Sequence, residues 1–203
     1  MVAAHALPVG PPRGESRFLL HDVPWWTYVA LRDAQADTAI RMTYLRGALE
    51  LMSPSELHEE SKKIIARLVE VWAEELDVDL RGFGSATLGK EAEQRGLEPD
   101  ECYVLGKKER DAVPHVAIEV VVTSPLLDKL EVYAGLGVPE VWIWSEASRT
   151  LPVHRLTGRA YEVRPRSVVV PGLDLAHLAT FVRPGESHTE LARTYRASLA
   201  ATR

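Results

Sequence analysis

Residues 116–144 read "VAIEVVVTSPLLDKLEVYAGLGVPEVWIW", and they decide the fold. From Val116 to Val122 every position is apolar except Glu119. A strand with no polar alternation has both faces covered, so this one belongs inside a sheet. Ser124 then suits a helix N-cap and Pro125 the first helical position. The spacing predicts a helix over "SPLLDKLEVYAGLG", halted by Gly135 and Gly137. "EVWIW" follows as a second buried strand. With a helix and further strands upstream, the pattern gives an α/β layer plan, a mixed β-sheet flanked by α-helices.

Outward from this stretch the elements are marked by caps and turns. Asp22 is expected to cap a short helix through "VPWWTYVALRDA". Ile40–Leu45 and Ala48–Met52 flank "RG" as a hairpin. Ser53 with Glu56 three residues on forms a capping box, Pro54 suits the first position, and Leu57, Ile64, Leu68, Val71 and Leu76 keep helical spacing. "VDLRGFGSATLG" reads as a strand and turn, "KEAEQRGLEPDE" as a polar loop, "CYVLG" as a short strand and "KKERDAVP" as a solvated turn. Downstream, "LPVHRL" and "AYEVR" make an outer hairpin around "TGR". "SVVVPGLDLAHLATFV" reads as a strand with a short helix, and "HTELARTYRASLAA" as a closing helix. Residues 1–16, rich in Ala, Pro and Gly, are expected to form a disordered tail, leaving 17–203 as one domain.

Composition narrows the function classes. A chain of 203 residues suits one domain with a sizeable core. The formal net charge of -5 speaks against a protein that coats duplex DNA, but it leaves room for a nuclease with a local basic groove. The single cysteine, Cys102, excludes an internal disulfide and a cysteine-based zinc site, and it fits a reducing cytoplasm. No run approaches the length of a membrane span, and the first residues lack the layout of a signal peptide.

Three residues carry the chemical signal. A lone ionised carboxylate at Glu119, inside an apolar strand, needs a partner, a proton or a metal, because isolated burial costs several kcal/mol. The alternative is a structural ion pair or a sheet end open to water. Asp100, in "GLEPDECYVL", enters the preceding strand, and on its own it is ordinary turn chemistry. Together the two acids become neighbours across a short connection. Side by side they cannot both stay ionised without a cation, and carboxylate oxygens suit hard cations such as Mg²⁺. Lys129 shares a helical face with Leu126, Leu130 and Tyr133, so it is expected to point at the two acids, with snorkelling at the stripe's edge as the alternative. Lys62, Lys63, Arg67, Lys107, Lys108 and Arg110 read as solvated charges before they read as a phosphate groove. Trp142 and Trp144 are explained by a buried strand.

The segments "GALELMSP", "EPDE", "IEV" and "LDKLEVYAGLGVPEVWIW", in that order and with a helix containing His58 after the first, resemble the Uma-two family of restriction-type endonucleases. That family lies within the PD-(D/E)XK nuclease superfamily, and the resemblance runs from Trp25 into the last helix. It implies a restriction-endonuclease-like core with Mg²⁺ as cofactor, Mn²⁺ substituting. Asp100 matches the aspartate of the "PD" motif and Glu119 the acid of the next strand. The superfamily pattern puts a lysine two positions after that acid, where this sequence has Val121, and the resemblance moves the catalytic lysine to Lys129. The segment between the acid and that lysine is shorter than in many relatives. Glu50 and His58 match two further family positions. Glu50 is either a further acidic ligand or orienter, or a solvent-facing strand residue. His58 either borders the site or bonds at a helix end.

The expected function is therefore a Mg²⁺-dependent endonuclease hydrolysing DNA phosphodiester bonds. Asp100 and Glu119 are the expected metal ligands, joined by the carbonyl of Val120, and Lys129, Glu50 and His58 complete the candidate catalytic set. A non-cleaving relative acting as a DNA-binding or interaction module is the alternative, and an enzyme acting on another phosphate ester is a third reading. The family implies a homodimer.

Overall fold

The computed structural model describes residues 14–36, 38–107 and 113–201. Along the chain run β1 (Ser16–Leu20), α1 (Trp25–Ala34), β2 (Arg41–Leu45), β3 (Ala48–Ser53), α2 (Glu56–Glu75), β4 (Leu80–Gly82), β5 (Leu88–Lys90), β6 (Arg95–Leu97), β7 (Glu101–Leu105), β8 (Val116–Val121), α3 (Lys129–Leu136), β9 (Glu140–Ser145), β10 (Val153–Thr157), β11 (Ala160–Arg164), α4 (Leu175–Ala179) and α5 (His188–Ala201). Six strands make a mixed sheet in the order β11-β10-β9-β8-β7-β4, in which β8 and β9 alone pair in parallel. The crossover between those two strands carries α3, as parallel neighbours require. The outer hairpin is β10–β11.

The pleat sorts the strand that opened the analysis. Val116, Ile118 and Val120 join Trp142 and Trp144 in a core that includes Ile64, Leu68 and Trp72 of α2, Leu178 of α4 and Leu191 of α5. Ala117 and Val141 face the other way, into a second cluster with Val132 and Tyr133 of α3 and Leu97 of β6. Alternation puts Glu119 on this second face, toward α3. That is why an acid is tolerated in a strand buried on both sides: its face meets the start of a helix rather than the main core.

A second, antiparallel sheet of order β1-β3-β2-β6-β5 lies beyond α3, covered on its own apolar face by α1 through Tyr28, Met42, Tyr44 and Leu49. Of its strands the sequence marks only the β2–β3 hairpin, whose two-residue turn Arg46–Gly47 has positive φ at both positions (46° and 90°). The "polar loop" at 90–101 instead contains β6, buried at all three positions between β2 and β5.

Several expected ends shift. Ser55, not Ser53, caps α2 by accepting from His58 N, and α1 starts after Pro24 with no capping side chain while Asp22 sits at φ 54°. The helix expected from Ser124 begins five residues later, at Lys129, capped by Asp128. The Leu126 and Leu127 amides, which a Ser124 cap would have bonded, instead both bond Glu50 Oε2 at 2.9 Å. Leu126 is accordingly half-exposed and not part of the inward stripe. Gly137 ends α3 as expected, in a left-handed conformation at φ 82°, whereas Gly135 lies inside it. Residues 167–170 form no strand. The folded part includes Glu15 and Ser16, so the expected tail is too long, and residues 1–13 lie outside the described residues, as do 108–112 of the expected solvated turn.

Candidate active site

The β7–β8 register pairs Glu101 with Ile118 and Cys102 with Ala117. One step further along the same register sets Asp100 opposite Glu119, on one face of the sheet. Both are 2% exposed. Asp100 Oδ2 accepts from Val120 N at 2.8 Å, and its Oδ1 meets His58 Nε2 at 2.9 Å. Glu119 is gripped from α3 by residues one turn apart: Lys129 Nζ lies 2.6 Å from Oε2, and the Tyr133 hydroxyl donates to Oε1. Lys129, as the first residue of α3, is brought to the acids by the cap at Asp128 and by the hold of Glu50 on the preceding loop.

Glu50 is 1% exposed and not solvent-facing. It does not contact the acidic pair. It accepts from the Leu126 and Leu127 amides and from Arg17, so it orients the loop that delivers Lys129. His58, fully buried on the first turn of α2, bridges Asp100 and Glu15, whose Oε2 lies 3.1 Å from His58 Nδ1. The two ring nitrogens thus face two carboxylates. The five sequence candidates all fall in one hydrogen-bonded neighbourhood, joined by residues that no sequence motif marks. Arg17 links Glu15 to Glu50, and Thr123 donates to Glu15 through its hydroxyl and its amide. The only sequence signal for Glu15 and Arg17 was two opposite charges two positions apart at the edge of a strand, and that pattern is common.

The electrostatics follow from the packing. Burial works against His58's charge, yet its bonds to Asp100 and Glu15 outweigh this and raise it to about 9. Burial pushes Glu15 up, but His58, Thr123 and Arg17 outweigh it and hold Glu15 at about 2. Asp100 is likewise pushed up by burial and brought far below the usual carboxylate range by His58 and Lys129. For Glu119 burial wins: its carboxyl is raised, Asp100 pushing the same way and Lys129 against. Burial disfavours the Lys129 ammonium, but Glu119 and Asp100 more than restore it, so it stays charged.

A hard divalent cation fits this donor set by chemistry. Each of the four oxygens of Asp100 and Glu119 takes one protein donor, and an ionised carboxylate oxygen has a second lone pair to offer. Four carboxylates, Glu15, Glu50, Asp100 and Glu119, face three cations, Arg17, Lys129 and the protonated His58, leaving one negative charge to be balanced when all four are ionised. Among the described residues no group of three or more His, Cys, Asp or Glu side chains is placed to hold a metal ion. Two carboxylates with water is the way Mg²⁺ is commonly held, whereas a structural zinc would need more protein ligands.

An acidic pair on adjoining strands of a mixed sheet, faced by a lysine from the next helix, is the arrangement expected of the nuclease class that the sequence resembles. Residues 25–182 match the family model described as "Putative restriction endonuclease" (Uma2), and the chain belongs to that family. Among solved structures, a crystal structure described as a "putative nuclease belonging to DUF820" from Anabaena variabilis ATCC 29413 is similar at 15% identity and a TM-score of 0.44, over 76% of this chain and 90% of that one. No curated protein matches the chain. Among the described residues no helix is long and apolar enough to cross a membrane.

Proposed function

We propose that this protein is a Mg²⁺-dependent endonuclease that hydrolyses DNA phosphodiester bonds, with Asp100 and Glu119 as the metal-holding carboxylates and Mn²⁺ able to substitute. The observation that carries the reading is the contact of Lys129 with Glu119, at 2.6 Å, beside an Asp100 set opposite on the next strand. A bound divalent ion would supply Lewis-acid activation of a water and charge neutralisation at phosphorus. Lys129, kept protonated by the two acids, serves as a donor and positive charge rather than as a base. It orients the attacking water and stabilises the charge building on the phosphoryl oxygens. The water oxygen bonds to phosphorus as the P–O bond to the leaving oxygen breaks, and that oxygen ends protonated. Tyr133 and His58 hold Glu119 and Asp100 in place from opposite sides.

A non-cleaving module is the second reading. It is favoured by the hydrogen bond already present on every oxygen of the acidic pair. Incubating supercoiled plasmid with wild-type protein or with Asp100→Ala, in Mg²⁺ or Mn²⁺, separates the two. Nicking by the wild type alone supports the nuclease. A plasmid left intact by both, under either metal, selects the module.

A further inference from the structure

The exposed side of α2 carries two cations with no partner among the described residues. Lys63 and Arg67 are exposed, and neither makes an ion pair or hydrogen bond among the described residues. Their neighbour Lys62, by contrast, is tied to Glu59. Both line a cavity of about 560 Å³, with Gly84 and Ser85 after β4, His188 at the start of α5, and Asp100 in its wall. Gly84 has positive φ and no side chain, which keeps that wall low. Two further acids share the cavity: Glu70, also on α2, accepts from the Tyr103 hydroxyl at 3.4 Å, and Glu101 accepts from Cys102 N at 3.1 Å. Neither acid forms an ion pair with Lys63 or Arg67 among the described residues, so both cations are open to a ligand.

We propose that this groove binds the phosphodiester backbone of a nucleic-acid strand, with Lys63 and Arg67 pairing with phosphates adjacent to the one that reaches Asp100. The two side chains lie four residues apart on one helix, a rise of about 6 Å, which is comparable to the separation of successive phosphates on an extended strand. The unpaired pair explains how a chain of net charge -5 meets a polyanion: its cations elsewhere in the site are consumed by carboxylates, and these two are not. The proposal rests on the nuclease reading for the identity of the ligand, but it requires no cleavage.

Binding of fluorescent single-stranded and duplex oligonucleotides, measured by anisotropy in EDTA over a range of salt, tests it. The wild type should bind at low salt, with log K falling linearly with log salt. Replacing both residues (Lys63→Gln with Arg67→Gln) should flatten that slope by about 1.4 on a single strand or about 1.8 on a duplex. Affinity at low salt should fall about tenfold or more. The charge-keeping exchange, Lys63→Arg with Arg67→Lys, should preserve the slope. Arg164→Gln, at the far edge of the mixed sheet on β11, should not change it beyond a small general charge effect. Whichever probe shows the slope change identifies the form of strand bound. An unchanged slope in the double variant, a change no larger than that of Arg164→Gln, or no wild-type binding of either probe would overturn the groove. The plasmid assay stays independent. Binding through these residues without nicking leaves the groove standing and removes the nuclease. Nicking with an unchanged slope does the reverse.

Discussion

Lys129 is the residue on which the chemistry turns, since its ammonium is the only permanent cation touching the acidic pair among the described residues. Lys129→Ala should leave Mn²⁺ binding nearly intact by calorimetry while lowering the plasmid nicking rate by ~10²-fold or more, the scale of a lost charge-stabilising group. Lys129→Arg should not restore it, because a bulkier planar guanidinium does not fit the space of a point charge. Glu119→Gln should fold with a lowered melting temperature, since it removes the charge that Lys129 pairs with and sets an amide nitrogen against the Lys129 or Tyr133 donor. Its Mn²⁺ binding and nicking should both vanish; retention of either would remove Glu119 from the site. At this scale the sequence was informative where a residue broke its own local pattern. Glu119 interrupts an apolar run, and Lys129 sits among apolar helix positions. Glu15 and Arg17 broke no pattern. Their partner Thr123 lies more than a hundred positions away, and nothing local announces such a pairing.

Among the elements, α3 is the one whose placement matters most, and its start was misread for a physical reason. Ser124 and Pro125 are sound helix-start signals, but a buried carboxylate from another sheet, Glu50, takes the amides that a Ser124 cap would have used. Tertiary hydrogen bonding thus overrode local capping. The β5–β6 pair was missed in the same way: "KEAEQRGLEPDE" is polar in composition, and β6 becomes strand only because β2 and β5 supply partners on both sides. The mixed sheet and outer hairpin were legible because their strands carry their own apolar patterning. The seat of α3 also sets a prediction. A Cβ at Gly135 would collide with the Arg95 side chain, which bonds the Glu131 carbonyl at 3.2 Å and the Glu93 carbonyl at 3.3 Å. Gly135→Ala, which helix propensity alone would favour by about 1 kcal/mol, should therefore lower the melting temperature. In an Arg95→Ala background the same change should raise it, a sign reversal that a double-mutant cycle of thermal melts would read.

For the molecule as a whole, the buried ion chain makes stability depend on pH from both sides. His58 is raised from an ordinary 6.5 to about 9, so its contribution is complete below about 6.5 and is lost as pH rises through about 9. Glu15 is lowered from 4.5 to about 2, so its contribution is complete above about 4.5 and is lost as pH falls toward 2. Chemical denaturation across pH should give a plateau between those ordinary values and a decline on each side. His58→Gln should lower the plateau and flatten the alkaline limb. An unaltered alkaline limb in that variant would mean that His58 is neutral in the folded protein.

The Glu15–Thr123 contacts join segments 108 residues apart, and this bears on how the protein comes into being. During synthesis β1 can pair with β3 and Glu15 can meet His58 early, but Thr123 joins them only after the chain has been made past β8. Closing so long a loop is slow relative to forming α2 or the β2–β3 hairpin. The neighbourhood of Asp100 and Glu119 is thus among the last regions to assemble, and a growing chain carries no finished acidic site. In pulsed hydrogen exchange during refolding, the Thr123 amide should gain protection after the amides of α2; simultaneous protection would show that the two ends meet at the outset.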